Sequence, residues 1–393
     1  MRQVSIVGLG MSAGTLTVEG LSAVERADLL LGAPRLVAQF GAKPSVAGYT
    51  PEAVRQALNG YETGRFCVLV SGDTGFYSAA EKLCAALTDC EVTLVPGVSS
   101  LAYFFARLKL AWQDAAAVSC HGRGANLADT VRRNRLTFVL TGGNAAELGE
   151  SLAQAGYGAL CVHVGENLGM AEERVHTMPV SALPSAGIGK LAVLLVENPG
   201  GDSRVRFGIP DAEFTRGDVP MTKAEVRAVT LSKLALHPGA VCCDIGAGTG
   251  SVTVEMALAA YGGTVYALDK NAEAIRLVVE NCRGFHIGNV KTIVGDAPEA
   301  LADLPPFDAA FVGGCSGKIG AVFDAVLGKN PRARVVVNAV TLETLHAATQ
   351  AFGAHGIEPE MMQLGVTRLK RTESLHMLQA QSPVFILSGG GHE

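Results

Sequence analysis

The sequence predicts an α/β protein made of two unlike small-molecule-binding folds in tandem, and three observations lead there. Short apolar, β-rich runs alternate with helical patterns along the whole chain, the signature of α/β architecture. Two glycine loops of different design each follow a strand candidate: Gly8-Leu-Gly10 after Val4–Val7, and Gly246-Ala-Gly248-Thr-Gly250 after Val241–Ile245. Between them lies a cluster of breakers, Asn198-Pro-Gly-Gly-Asp-Ser203, which marks a boundary.

Upstream, the clearest strand candidates are Val4–Val7, Phe66–Val70, Val92–Val95, Thr137–Leu140, Leu160–Val164 and Leu191–Val196. The stretch 204–219 lacks clean periodicity and is expected to be a linker between domains 1–203 and 220–393. A helix is expected over Thr222–Leu236, with Thr222 as N-cap and Glu225 three residues on completing a capping box. Strands and helices then alternate through Val241–Ile245, Val265–Leu268, Val290–Val294, Ala309–Val312 and Val335–Ala339, with late strands near 361–369 and 383–387. This order predicts a Rossmann-like, seven-stranded fold with an antiparallel close. The tail Gly389–Glu393 is expected to fray.

Bulk properties narrow the function classes. At 393 residues, 48% hydrophobic and 18% charged, the chain is expected to hold two or three folded domains. A formal charge of -5 and a pI near 6.0 argue against nucleic acid or an anionic membrane as partner. No apolar run reaches the length of a membrane span, and Met1–Gly8 runs straight into a strand with no leader in view. The nine cysteines include no CxxC pair and read as reduced thiols of a cytoplasmic protein. Cys242 and Cys243 are adjacent in one strand, poor geometry for sharing a metal, and no protein metal site is expected.

In the downstream half, a glycine loop after a strand lets backbone N–H groups approach a ligand closely. The spacing Gly246-x-Gly248-x-Gly250 puts Ser251 where a dinucleotide pattern wants its last glycine. Asp244, immediately before the turn, would repel a pyrophosphate but suits the ammonium of S-adenosylmethionine, a sulfonium cation. Electrostatics thus favours the methyl donor over NAD. Gly246, Ala247, Gly248, Thr249 and Gly250 are its expected backbone contacts. Asp269 follows Gly250 by 19 residues, at a strand end where an acid holds ribose hydroxyls. Asp296, in Gly295-Asp-Ala297, is placed to cover the adenine. Lys223 and Arg227, i and i+4 on one helix face, are candidates for gripping substrate carboxylates, against the alternative of a solvated pair.

In the upstream half, Gly8-Leu-Gly-Met-Ser-Ala13 passes a loose dinucleotide filter, with Asp28 about 20 residues on. Asp28, however, precedes the apolar run Leu29–Leu31, whereas a ribose-binding acid belongs at a strand's carboxyl end. The dinucleotide reading is therefore rejected here. Ser71-Gly-Asp-Thr-Gly-Phe-Tyr-Ser78 and Pro96-Gly-Val-Ser-Ser100 each follow a strand directly and form polar loops suited to a ligand.

Together these segments resemble the tetrapyrrole methylase family, with Thr74 in place of the usual proline. Ser119-Cys-His-Gly-Arg123, Gly165-Glu-Asn-Leu-Gly169 and Glu173-Arg174 resemble its branch that methylates C-5 of a corrin precursor. Met221–Arg227, Asp244–Gly250, Gly295–Pro298 and Asn338–Leu342 are similar to a partner enzyme that methylates C-15 and decarboxylates the C-12 acetate.

The resemblance implies a two-lobed tetrapyrrole methylase fold upstream and S-adenosyl-L-methionine as cofactor, one site per domain. It implies a precorrin or cobalt-precorrin substrate, in cobalamin synthesis, and a homo-oligomer. Leu9, Gly72, Asp73, Gly75, Ser99, Ser100 and Thr141 are the implied upstream cofactor contacts, with Glu166 on the substrate side. Thr222 and Ala297 join the downstream set, and Asn338 joins the substrate candidates. His121 and Cys315 are assigned to loop packing or substrate contact rather than direct chemistry. The ending Ala380–Leu387 resembles the anaerobic, cobalt-containing route more than the aerobic one, and cobalt would arrive inside the substrate. A metal-free substrate and a tetrapyrrole-binding protein with one inactive domain stay open as alternatives.

Overall fold

The computed structural model describes residues 1–121, 126–204, 206–372 and 375–391. Gly122 and Arg123 of the Ser119–Arg123 segment, Val205 of the expected linker, and His392 and Glu393 of the tail lie outside that set. The chain divides into two compact units. Unit 1 takes Met1–Arg123, Asn134–Gly149 and Leu160–Pro199; unit 2 takes Gly124–Arg133, Glu150–Ala159 and Gly200–Glu393.

Unit 1 holds two five-stranded sheets. The first contains β1 (Arg2–Gly8), β2 (Leu29–Gly32), β3 (Ser45–Ala47), β4 (Gly64–Val70) and β5 (Glu91–Val95), in the order β3-β2-β4-β1-β5 and wholly parallel. Parallel strands covered on both faces need apolar residues on both. Val4 and Ile6 accordingly pack into one cluster, Val7 and Leu9 into another. The second sheet contains β6 (Ala116–Ser119), β7 (Leu136–Leu140), β8 (Cys161–Glu166), β9 (Arg174–Pro179) and β10 (Ala192–Glu197), ordered β6-β7-β10-β8-β9. Only β6 and β7 run parallel in it. Asp28 sits at the amino end of β2 and accepts from Arg65 N at 2.8 Å, a structural tie across strands.

Unit 2 is built on β11 (Val241–Ile245), β12 (Thr264–Asp269), β13 (Val290–Val294), β14 (Ala309–Val312), β15 (Arg334–Ala339), β16 (Glu360–Leu364), β17 (Thr367–Arg371), β18 (His376–Ala380) and β19 (Val384–Gly389). Seven of these form one sheet, β13-β12-β11-β14-β15-β19-β16, with β19 antiparallel to both neighbours. Strands β17 and β18 pair separately as an antiparallel hairpin, which the sequence reading merged into its late strands. Alternation along β11 sends Cys242 into the cluster on one face and Cys243 into the cluster on the other.

Two local expectations are corrected. The helix after Met221 runs Ala224–Leu234, and no side chain of its N-cap residue Lys223 caps it. Asp211 does so from a distance, accepting from Ala224 N at 3.0 Å. Glu225 pairs with Arg368 instead of closing a capping box. The stretch expected as a linker packs into unit 2, because it carries apolar residues the sheet can bury: Ile209 and Phe214 join its core. Among the described residues no helix is long and apolar enough to cross a membrane.

Candidate functional site

The cleft of unit 1 forms where three loops leave the carboxyl ends of β1, β4 and β5, the edge at which ligands bind in parallel sheets. Those loops touch backbone to backbone. Gly10 and Gly72 exchange both N–H···O bonds at 3.0 Å. A Cβ on Gly97 would stand 2.4 Å from the carbonyl oxygens of Gly8 and Gly72, so no larger residue fits. Asp73 pins the arrangement, its Oδ1 accepting from Gly75 N at 2.8 Å and its Oδ2 from Gly97 N at 2.9 Å.

The cleft encloses a cavity of about 270 Å³. Of the residues expected there, Gly72, Asp73 and Ser100 line it. The others support it. Leu9 is fully buried and Gly75 donates to Asp73. The Ser99 hydroxyl is used as an N-cap, accepting from Ala102 N at 3.1 Å, and Thr141 donates to the Ala192 carbonyl at 2.7 Å. Glu166 is buried, accepting from Gly189 N at 2.8 Å and paired with Arg174.

The second sheet contributes Asn167 and Leu168, from the Gly165–Gly169 motif, and also Met170 and Lys190, which motif reading missed, as it did Arg35 after β2 of the first. The signal for some of them was the glycine turn Gly142-Gly143, whose φ values of 64° and 88° admit what a side chain would block. A Cβ on Gly142 would lie 3.3 Å from the His121 ring, and His121 lines the cleft. The His121 Nδ1 sits 3.2 Å from Ser119 Oγ.

The cleft of unit 2, about 350 Å³, opens at the carboxyl ends of β11, β12, β13 and β14. Gly246 has φ 79°, and a Cβ there would fall 2.3 Å from the Gly314 carbonyl; at Gly248, φ 57°, it would fall 2.6 Å from that of Pro220. Only glycine makes these turns at such contact. Asp269 holds the loop open, accepting from Gly248 N at 3.0 Å and from Asn271 N at 2.9 Å. Thr222, Gly246, Ala247, Gly248, Asp269, Asp296 and Ala297 all line this cleft, and Thr249, Gly250 and Asp244 stand behind it. Lys270, Cys315 and Ser316 line it as well.

Asp244 is fully buried and bonded to Thr253, and burial pushes its carboxyl up to about 7. Its Oδ1 and the Thr249 Oγ1 are buried without a partner, behind a loop whose glycines let backbone pack directly on backbone. Unsatisfied acceptors and a bare glycine cradle fit a donor with an ammonium group. Lys318 pairs with Asp296 at 2.9 Å, holding that carboxyl below its ordinary value, and with Glu299, whose carboxyl is lowered first by its own backbone N–H and then by Lys318. Lys270 Nζ lies 2.8 Å from Ser316 Oγ.

The structure does not bring the downstream substrate candidates into this cleft. Arg227 is wholly buried, ion-paired with Glu255, which is equally buried. It also donates to the carbonyls of Ile209 and Thr222. It cannot grip a substrate, because its guanidinium is wholly buried and faces Glu255, Asp211 and two carbonyls of the core. Lys223 lies near Asp211, and Asn338 exchanges hydrogen bonds with Thr230; neither lines the cleft.

Two glycine-loop clefts, each at the carboxyl edge of a parallel sheet and each on a different topology, define a tandem methyltransferase architecture. Residues 3–184 match the tetrapyrrole (corrin/porphyrin) methylases and residues 213–389 match the precorrin methyltransferase domain. A precorrin-6Y C(5,15)-methyltransferase (decarboxylating) of Sinorhizobium sp is 34% identical over 287 residues, which is 70% of this chain and 68% of that protein. A probable cobalt-precorrin-6B C(15)-methyltransferase (decarboxylating) of Pyrobaculum calidifontis is 44% identical over 184 residues, 46% of this chain and 94% of that protein. A crystal structure described as precorrin-6y C5,15-methyltransferase from Geobacter metallireducens covers 47% of this chain and 97% of its own, at 36% identity and a TM-score of 0.45. The chain belongs to the precorrin-6Y C(5,15)-methyltransferase (decarboxylating) family.

Proposed function

We propose that this chain carries out two S-adenosylmethionine-dependent methylations of a corrin precursor, at C-5 in unit 1 and at C-15 in unit 2, with loss of the C-12 acetate carboxyl in unit 2. The observation that carries this reading is the pair of glycine cradles, at Gly8, Gly72 and Gly97 and at Gly246 and Gly248, where any Cβ would meet backbone. One donor site per unit belongs to the same proposal. When bound, the donor supplies an electrophilic methyl group; the macrocycle's own electron-rich carbon attacks it. The protein's task is then placement, since in-line transfer is accelerated chiefly by holding the reactants in geometry.

In unit 2, the loop Gly246–Gly248 offers backbone N–H groups, Asp269 the ribose acid, and Thr222 and Ala297 the flanking walls. In unit 1, Gly72, Asp73 and Ser100 take the corresponding roles. Decarboxylation needs an electron sink, and the conjugated substrate provides one.

Mass spectrometry of the product is the direct test: two added methyl groups and one lost carboxyl are expected. A product with methyl groups added and the carboxyl retained would refute the decarboxylation. Titration with S-adenosylhomocysteine is expected to find two sites per chain; a single site would remove one unit from the reaction. The cobalt-containing substrate is favoured, because C(15) relatives such as that of Pyrobaculum calidifontis are named for cobalt-precorrin. The Sinorhizobium relative is named for precorrin-6Y, so parallel assays on cobalt-containing and metal-free substrate decide between the routes.

A further inference from the structure

The cleft of unit 1 carries two cations that the protein itself leaves unanswered. Arg35 stands in the helix Pro34–Val37, just beyond the carboxyl end of β2 in the first sheet. Lys190 stands just before β10 in the second. Both line the cleft and both are exposed. Among the described residues, neither side chain has an ion-pair or hydrogen-bond partner. The acid in the same wall, Asp73, forms no ion pair with either and accepts instead from Gly75 N and Gly97 N.

The local backbone is arranged to carry Lys190 into this position. Its stem lies over the bare Gly142-Gly143 turn, where a Cβ on Gly143 would come within 3.7 Å of the Lys190 Cβ and Cγ. Unpaired like charges lining one cleft contribute nothing to folding by attraction; their favourable interaction is available only to an anionic ligand. A planar guanidinium takes a carboxylate through two parallel bonds, and an ammonium takes one as a point charge.

We propose that Arg35 and Lys190 are the carboxylate anchors of the unit 1 cleft, one from each sheet, and that they grip two acid side chains of the macrocyclic substrate and so fix its orientation. This rests on the methyl-transfer reading above. The shared chemistry is a carboxylate, and the methyl donor also has one, in its methionyl part, so the test must tell the two sources apart.

The test uses the full chain with Arg35→Gln, Lys190→Gln and the double variant. Uroporphyrin, an octacarboxylate porphyrin, serves as fluorescent probe, and a porphyrin with neutral glycol side chains as control. Each single substitution is expected to raise the uroporphyrin Kd about fivefold, a charge-assisted bond discounted for exposure, and the double variant about 25-fold if the two act independently. In turnover, KM for the methylation that releases no CO₂ is expected to rise with kcat unchanged, while KM for the decarboxylating step stays put.

S-adenosylhomocysteine affinity at both sites is expected to be unaltered in every variant, which also shows that the variants are folded. Uroporphyrin affinity unchanged within twofold would overturn the proposal. So would equal losses for the neutral porphyrin, or a loss of S-adenosylhomocysteine affinity in place of substrate affinity. Failure of the unmodified chain to bind S-adenosylhomocysteine at all would instead refute the methyl-transfer reading beneath it.

Discussion

The two clefts answer the same demand in different ways. In unit 2, one sheet does nearly everything: the Gly246–Gly248 loop, Asp269 and Asp296 follow consecutive strands β11, β12 and β13. The lysine in its wall, Lys270, donates to the Ser316 hydroxyl at 2.8 Å, and Lys318, outside the wall, pairs with Asp296 and Glu299. In unit 1 the wall is drawn from two sheets, and Arg35 and Lys190 stand unpaired. A cation that already faces protein acceptors is committed to the fold, whereas one without a partner keeps its charge for a ligand.

The sharpest way to break that comparison is to fill one cradle at a time. Gly246→Ala puts a Cβ 2.3 Å from the Gly314 carbonyl at φ 79°, and is expected to abolish S-adenosylhomocysteine binding at one site. The product should then carry one added methyl and keep its carboxyl. Gly97→Ala, with its Cβ 2.4 Å from two carbonyl oxygens, should give the reverse, a decarboxylated product lacking the C-5 methyl. Calorimetric stoichiometry falling from two to one in each variant, with mass spectrometry of the product, checks both. If either variant lost both methylations, the units would not be separable catalysts.

Next in size is the buried pair beneath unit 2. Glu255→Ala removes the fully buried partner of the Arg227 guanidinium, leaving it only Asp211 at 3.5 Å, and strands the N–H groups of Gly208 and Ile209 that donate to Glu255. A loss of about 3–5 kcal/mol is expected, the usual result of orphaning a buried charge, read as a lower midpoint in urea.

A pH effect follows from Asp244. Burial raises its carboxyl from an ordinary 3.8 to about 7, so the folded state binds this proton more tightly than the unfolded chain does. Stability from this group is complete below the ordinary value and is lost as pH rises through about 7. Asp244→Asn should therefore flatten the decline in Tm over that window. An identical slope in both proteins would show that Asp244 does not titrate there.

The smallest expected effect concerns the hairpin. Arg368 pairs with Glu225, each side chain 42% exposed. Exposed pairs contribute little, so Arg368→Ala should cost about 0.5 kcal/mol, detectable only as a slight shift in urea midpoint.

Legibility tracked the same contrast. The unit 2 cradle was readable because Gly246, Gly248 and Asp269 lie on one βαβ stretch, where spacing alone implies proximity. Helix-face reasoning failed at Arg227, since i, i+4 spacing says which residues share a face but not whether that face meets water or Glu255. In unit 1, the SGD and PGVSS segments marked the loops correctly. Ser99 and Thr141 nonetheless turned inward, because a cap and a strand carbonyl claimed their hydroxyls. No spacing rule points from Gly8 to Lys190.

By itself the amino-acid order determined the strands that precede the glycine loops and the two glycine turns, because these depend on neighbours within one strand–turn–helix unit. Tertiary structure alone decided that the stretch near Ile209 belongs to a core, that Arg227 is buried, and that Arg35 and Lys190 share a cleft. Burial and charge pairing depend on which surfaces meet across long separations in the chain, and local periodicity carries no record of those meetings.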